Sequence, residues 1–171
     1  EKKISDIVRM TIADAGNLIF CVAGNRCGPG EPTCSDKSTV ATVEAYRIGK
    51  PDKGWLNIAT LPGPPRGWIA AACAAGRLFA FGGGYFDLSS GKQETRRSVL
   101  AYAFEPRANR WSQIADLPTP LSGADAVAYR NRYIILIGGC SVTSHSVFEP
   151  SLGRTVEEYN DIVWVYDIRE N

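Results

Sequence analysis

Short apolar segments alternate with polar and glycine-rich segments along the whole chain. In the middle of the chain, small residues at about 67–74 precede the largely apolar segment 77–81, RLFAF. Three glycines follow this segment directly. A short apolar segment bounded by turn residues is typical of a strand buried on both faces. Two further strands are predicted at about 98–104 and 111–115. This part of the chain therefore predicts four short strands separated by turns.

The four-strand pattern repeats along the chain. Trp55 and Trp111 are 56 residues apart. The same interval separates three other pairs of features, which are Leu61-Pro62 and Leu117-Pro118, Gly82-Gly83 and Gly138-Gly139, and Tyr46 and Tyr102. Toward the ends of the chain the interval changes in the segments that follow the glycines, as expected of loops. A fixed interval of this length predicts a repeat architecture in which each unit is one supersecondary element.

The content of each unit resembles the kelch repeat: four short strands, a double glycine, a tyrosine and then a tryptophan. The segment 159–167, YNDIVWVYD, resembles the third strand of that repeat. The resemblance implies an all-β fold, a kelch-type β-propeller of four-stranded blades, with 1–171 as a single propeller segment. Blade one is predicted at about 5–62, blade two at about 67–118, and blade three at about 123–171 without its last strand.

The number of predicted blades is too small for a closed ring. Propellers close with about 4–8 blades, so we expect this chain to form about three blades of an incomplete ring that has six blades when whole. An open ring would expose an apolar blade face and a strand edge. We therefore expect the remaining blades to come from a longer parent chain or, alternatively, from a second copy.

Net charge and the length of the apolar segments bear on two classes of function, nucleic-acid binding and membrane spanning. The net charge is +1, from 19 basic and 18 acidic residues, whereas nucleic-acid binding is typically marked by a basic stripe. The longest apolar segments, such as 134–137, are far too short to cross a bilayer. We therefore expect no nucleic-acid partner and no membrane span.

Five cysteines, an odd number, leave at least one thiol unpaired within the chain. Cys21, Cys73 and Cys140 fall in or beside predicted strands and are expected to be buried thiols. Cys27 and Cys34 bracket a loop rich in glycine and proline. They form either a small disulfide, which would imply an oxidising compartment, or two loop thiols. No second close pair of Cys or His accompanies them, so we expect no zinc site.

Polar residues collect in the loops that follow each second strand, at about 25–41, 84–97 and 140–160. In a propeller these loops open on the same rim as the loops leading into each first strand, and long loops on a rigid scaffold commonly carry binding sites. The chain contains no GxSxG, HExxH or phosphate-loop motif. A single histidine cannot supply a copper site of the galactose-oxidase kind. Candidate residues on the rim are Arg66, Trp68, Glu94, Arg96, Arg97, Asp125 and His145.

Several of these candidates have a structural alternative. Arg66 either forks onto a carboxylate in the propeller mouth or stabilises its own loop through a salt bridge. Trp68 either stacks on a sugar face or packs between blades. Asp125 either faces the mouth or caps backbone amides. His145 is either an acid or base near neutral pH or a solvated loop residue.

A closer resemblance rests on GPPR at 63–66, GRLFAFGGG at 76–84 and EPRANRWSQIADLP at 105–118. These segments are similar to the N-acetylneuraminate epimerase (sialic acid mutarotase) branch of bacterial kelch proteins. That resemblance implies a six-bladed periplasmic propeller that interconverts sialic acid anomers, with this chain as its first half and the acid and base residues in later blades. The loop containing Cys27 and Cys34 departs from the family, as does Ser122, which stands where an arginine is expected.

Two functions from different classes follow. The first is a sugar mutarotase or epimerase, periplasmic or secreted, which needs an acid, a base and cations for the sugar carboxylate but no cofactor. The second is an interaction module that binds a partner protein or peptide on the same rim. Fold alone does not separate them, but the irregular loops favour the first. The residues assigned to substrate binding are Arg66, Trp68, Arg96, Arg97 and His145, and those assigned to proton transfer are Glu94 and Asp125.

Overall fold

The computed structural model consists almost entirely of antiparallel strands. It describes residues 7–8, 11–14, 16–26, 39–87, 89, 91, 94–141, 146–149, 151, 154–157 and 159–171. These residues form three successive sheets and two additional hairpins. One short 3₁₀ turn, Pro51–Lys53, interrupts them. No helix in the part just specified has the length and apolar character needed to cross a bilayer.

The first sheet, blade one, begins with two very short strands. Both of these strands pair with β3, β3 pairs with β4, and β4 pairs with β5. The position of the first strand is therefore shared by two segments. The five strands are β1 (Ile7–Val8), β2 (Thr11–Asp14), β3 (Leu18–Arg26), β4 (Thr39–Arg47) and β5 (Trp55–Thr60).

The second sheet, blade two, has four strands in the order β6-β7-β10-β11. The loop between its second and third strands contains a separate hairpin, β8–β9. The second strand begins and ends where the sequence pattern predicts it, at 77 and 81. The strands are β6 (Ala70–Ala74), β7 (Arg77–Phe81), β8 (Gly84–Asp87), β9 (Glu94–Arg97), β10 (Ala101–Glu105) and β11 (Arg110–Gln113).

The third sheet, blade three, has the order β12-β13-β16, and its loop between second and third strands also contains a hairpin, β14–β15. Its final strand is joined to the turn between its first two strands by an ion pair: Arg132 Nε donates to Asp167 Oδ2 at 2.9 Å and to Oδ1 at 3.1 Å. These hydrogen bonds hold the pKa of Asp167 below its usual value. The strands are β12 (Asp125–Tyr129), β13 (Tyr133–Ile137), β14 (Ser146–Glu149), β15 (Arg154–Glu157) and β16 (Val163–Asp167).

The core consists of two apolar layers, one on each side of blade two. Alternate residues of a strand point to opposite faces of its sheet. Thus Leu78 and Ala80 pack with blade one, whereas Phe79 and Phe81 pack with blade three. This explains why the second strand is apolar from Leu78 to Phe81. The first strands β2, β6 and β12 lie side by side, so the sheets are arranged as successive blades of an incomplete β-propeller.

The outer face of blade three is open to solvent. Val163 and Val165 are 57% and 61% exposed, and Val127, Tyr129 and Ile137 on the same face are each about half exposed. The equivalent face of blade two is covered by blade three. In the described residues β16 pairs with β13 alone. The expectation that further blades cover this face stays a prediction.

The three described cysteines lie in or beside strands. Cys21 and Cys140 are buried, whereas Cys73 is only half-buried. Burial, with a smaller effect of Glu44, raises the pKa of the Cys21 thiol to about 11. Burial, with a smaller effect of Asp14, raises the pKa of Cys73 to about 12. Cys27 and Cys34 lie outside the described residues, so their disulfide stays a prediction.

Candidate functional site

The double glycine after β7 determines how the loops meet on the rim. Gly82 and Gly83 have φ values of 61° and 102°, in the region that side chains disfavour. The Gly83 N–H donates to the carbonyl of Leu121 at 2.8 Å, and the Gly83 carbonyl accepts from Ser98 at 2.9 Å. A Cβ at Gly83 would lie 2.7 Å from the side chain of Ile69. Glycine is therefore required for this close approach of three loops.

Blade three repeats part of this hydrogen-bonding pattern. The N–H of Asn160 donates to the carbonyl of Gly139 at 2.7 Å, as that of Ser98 does to Gly83. The loop before β12 forms a backbone bridge between Ser122 and Cys140, and the loop before β6 forms one between Gly67 and Gly84. The rim is thus built from backbone contacts that recur between blades.

The bridges correct one sequence alignment. Because Ser122 bridges as Gly67 does, the residue equivalent to Arg66 is Leu121, not Ser122. The loop into β12 is one residue farther from its double glycine than the loop into β6, because Ser122 precedes Gly138 by 16 residues and Gly67 precedes Gly82 by 15. Leu121 is buried, and its carbonyl accepts from the N–H of Gly83 in blade two. The place of Arg66 in the repeat is therefore a core position in blade three.

The structure places Arg66 inside the protein. Its exposed fraction is 0%. Nε donates to the carbonyl of Gly82 at 2.7 Å, and Nη1 donates to those of Pro62 and Pro64 at 2.8 and 3.1 Å. Burial lowers the pKa of the guanidinium, partly offset by Tyr102, but an arginine stays charged at neutral pH. The contacts brace the loop through backbone carbonyls, and substrate binding by Arg66 stays a prediction.

Trp68 adopts a backbone conformation unusual for a large residue. Its φ is 53°, and the equivalent residue of blade three is Gly123, with φ 71°. A left-handed conformation costs a residue with a side chain about 1–2 kcal/mol. The Trp68 carbonyl accepts from the Gly123 N–H at 2.8 Å. The half-buried indole lies edge-on to Phe86, with ring centroids 6.2 Å apart.

The β8–β9 hairpin sends Arg96 and Arg97 to opposite faces, because consecutive strand residues alternate. Arg97 is on the face of Phe86, and its Nε lies 3.3 Å from Ser122 Oγ. Arg96 is on the other face, where its Nε lies 3.4 Å from Asp87 Oδ2. Thus Trp68, Phe86, Arg97 and Ser122 come together where blades two and three meet.

The remaining candidates are not brought into this group. Glu94 is the first residue of β9 and pairs with Asp87 across the hairpin. Asp125 begins β12, is exposed and pairs with Ile137. His145 lies outside the described residues. Among those described, no three Cys, His, Asp or Glu residues converge as metal ligands do. Roles in proton transfer or substrate binding stay predictions for these residues.

Phe86 is the member of the group that the sequence analysis missed. It is a single apolar residue in a loop of polar residues, GYFDLSSGKQETRR. The signal that would have found it is the aromatic pair Tyr85-Phe86, a residue type enriched in strands, which directly follows Gly84, against which the ring of Trp68 packs.

Comparison with known proteins gives matches in both sequence and structure. No family model matches the chain. An N-acetylneuraminate epimerase of Yersinia pestis is 33% identical over 102 residues. One of Brucella suis is 31% identical over 99 residues. The chain resembles the N-acetylneuraminate epimerases. The match covers 58% of this chain but only 26% of the Yersinia epimerase.

The structural comparison agrees on the fold. The solved structure of YjhT superposes with a TM-score of 0.64 and 14% sequence identity. The match covers 94% of this chain and 46% of YjhT. At that identity the likeness carries information on the fold alone. The chain thus spans about a quarter of the epimerases and about half of YjhT, and the expected resemblance to N-acetylneuraminate epimerases is confirmed.

Proposed function

We propose that the protein is a sugar mutarotase that acts on sialic-acid-type sugars. The observation that carries this proposal is the 33% identity to an N-acetylneuraminate epimerase over 102 residues. The rim adds support, because an aromatic pair and an arginine lie together at the junction of two blades. The protein-interaction alternative has no comparable observation in its favour.

The chemistry needs only proton transfers. A base removes the proton from the anomeric hydroxyl while an acid donates a proton to the ring oxygen, and the bond between the anomeric carbon and the ring oxygen breaks. The anomeric carbon becomes a ketone in an open chain, which recloses on its other face by the reverse steps. No electrons are gained or lost overall, so the proposal requires no redox cofactor.

We assign the anchoring of the sugar carboxylate to Arg97. A guanidinium binds a carboxylate through two parallel charge-assisted hydrogen bonds, and Arg97 shares a hairpin face with Phe86. Arg66 is assigned the indirect role of holding the rim loop in place. Glu94 and Asp125 remain our candidates for proton transfer. A periplasmic or secreted location is also part of the proposal.

Nuclear magnetic resonance of freshly dissolved N-acetylneuraminic acid tests the proposal. The purified protein should accelerate the approach of the two anomers to equilibrium in proportion to its concentration. Heat-inactivated protein is the control for buffer catalysis. If the protein does not accelerate the exchange at substrate concentrations that saturate binding, the proposal is overturned. If the sugar resonances also show no line broadening, binding is excluded and a protein partner on the rim is favoured.

A further inference from the structure

Trp68 occupies a position at which the next repeat has glycine. Both residues have positive φ, 53° for Trp68 and 71° for Gly123. Few residues with side chains adopt this conformation, and bulky ones do so least often. The backbone of the loop therefore favours glycine, yet blade two has the largest side chain of all.

The hydrogen bond made at this position does not explain the tryptophan. The carbonyl of Trp68 accepts from Gly123, and any residue supplies that carbonyl. The indole alone makes the contact with Phe86, at 6.2 Å and an interplanar angle of 80°, and packs against Gly84. A strained backbone that persists with a particular side chain indicates a role for that side chain.

The surroundings of the indole indicate which role. Arg97 projects from the same hairpin face as Phe86, with Nε at 3.3 Å from Ser122 Oγ, and Ser122 directly precedes Gly123. The group therefore combines two aromatic rings with one arginine. Small-molecule sites typically have this composition, with an apolar lining and a few polar groups that fix orientation.

We propose that Trp68 and Phe86 form the apolar wall of a sugar-acid subsite, in which the C–H face of the ring packs on the indole while Arg97 binds the carboxylate. Trp68 is then a specificity-determining residue that selects a carboxylate attached to a sugar ring over a small carboxylate without one. The class of ligand rests on the proposed function, whereas the aromatic wall goes beyond it.

The test compares Trp68→Gly and Trp68→Phe with the parent protein, using N-acetylneuraminic acid as ligand and lactate as the ring-free carboxylate. Trp68→Gly keeps the bridging carbonyl and adopts the conformation that Gly123 shows. This variant should retain the parent melting temperature within a few degrees. Its Kd for the sugar acid should rise at least tenfold, whereas its Kd for lactate should not change. Trp68→Phe, which keeps an aromatic ring, should lose less affinity.

Fluorescence gives a second readout that does not depend on the fold of the glycine variant. Binding of the sugar acid should change indole emission in the parent protein, and the change should disappear in Trp68→Phe. Trp55→Phe is the matched control, because Trp55 begins β5 in blade one and lies beside Tyr46, with ring centroids 5.5 Å apart. The change in emission should persist in that variant.

The outcomes separate this inference from the proposed function. Parent-like affinity in a folded Trp68→Gly protein, or a fluorescence change that survives Trp68→Phe, would overturn the aromatic wall. If Trp68→Gly still catalyses anomer exchange with an unchanged KM, the aromatic wall is rejected and the mutarotase proposal stands. Trp68-dependent binding without catalysed exchange would keep the wall and remove the mutarotase proposal. If the parent protein does not bind the sugar acid, both fail.

Discussion

The guanidinium of Arg66 lies over the ring of Tyr102, with Cζ 5.7 Å from the ring centroid. This contact joins the loop before β6 to the third strand of the same blade. Since the same guanidinium donates to carbonyls of Pro62, Pro64 and Gly82, one side chain fixes the rim loop against both the double glycine and β10. A polar residue in a rim loop can thus stabilise the loops around a site instead of contacting a ligand.

We expect Arg66→Met to destabilise the protein strongly. The substitution keeps an unbranched apolar stem but removes the donors, so the buried carbonyl of Gly82 loses its partner at about 1–3 kcal/mol. The more exposed carbonyls of Pro62 and Pro64 lose theirs at a smaller cost. The free energy of unfolding should fall by about 3 kcal/mol or more, measured by denaturant titration with circular dichroism. Arg66→Lys is the matched control and should recover only part of the loss, because one ammonium cannot reproduce a planar fork. Parent-like stability of Arg66→Met would contradict the bracing role.

The blades could be predicted from the sequence because their strands carry local signals. β7 combines an apolar run with terminal glycines, and both the run and the glycines recur 56 residues later. The β8–β9 hairpin could not be predicted in this way. Its residues are mostly polar, and its first residue, Gly84, is bridged to Gly67, a contact that no apolar pattern in the sequence marks.

The site was predictable as a region but not as a set of contacts. Trp68 and Arg97 are identified by their places in rim loops, and both are found where blades two and three meet. The burial of Arg66 depends on carbonyls that only the folded loop brings together. The separation of Arg96 from Arg97 depends on the hairpin register, and a short hairpin without a continuous apolar face does not reveal its register in the sequence.

Gly83→Ala should be far more damaging than an alanine at another glycine with positive φ. At Gly83 the added Cβ meets Ile69 at 2.7 Å and the carbonyl of Gly67 at 2.9 Å, whereas at Gly76, with φ 72°, it meets open space. Gly76→Ala should therefore cost only the backbone strain, about 1–2 kcal/mol. Gly83→Ala should cost a further 1–3 kcal/mol or so from overpacking. Thermal unfolding of both variants makes the comparison, and equal losses would show that the close approach of the loops is unimportant.

Alkaline pH should weaken the fold through two cysteine thiols. Burial raises the pKa of Cys21 to about 11 and that of Cys73 to about 12, whereas in the unfolded chain both ionise near 9.0. Their stabilisation is complete below that lower value and is lost as the pH rises toward the folded values, at about 1 kcal/mol per thiol by pH 10. A variant carrying Cys21→Ala and Cys73→Ala should lose less stability than the parent between pH 7 and 10. An identical pH dependence in the two proteins would rule out this linkage.

The two neighbouring arginines of β9 should differ in their effect on sugar binding. Arg97 lies on the face of Phe86 beside Ser122, whereas Arg96 is 51% exposed and lies beside Asp87 on the other face. A charged hydrogen-bond donor contributes about 1.5–3 kcal/mol, so Arg97→Gln should weaken binding of N-acetylneuraminic acid by about 10–100-fold. Arg96→Gln removes the same charge from the same strand and should change the Kd less than about threefold, because an exposed ion pair contributes little.

Titration calorimetry of the two variants at one ionic strength makes this comparison. Both variants lose one positive charge, so the long-range attraction of the anionic sugar falls equally in both. The difference between them therefore reports position rather than net charge. Ser122→Ala adds a third measurement: with the 3.3 Å contact removed, Arg97 is less well oriented, and the Kd should rise by a smaller factor than in Arg97→Gln. Equal effects at the two arginines would mean that the carboxylate is attracted without being bound on the Phe86 face. A larger effect of Arg96→Gln would move the anion site to the face that carries Asp87.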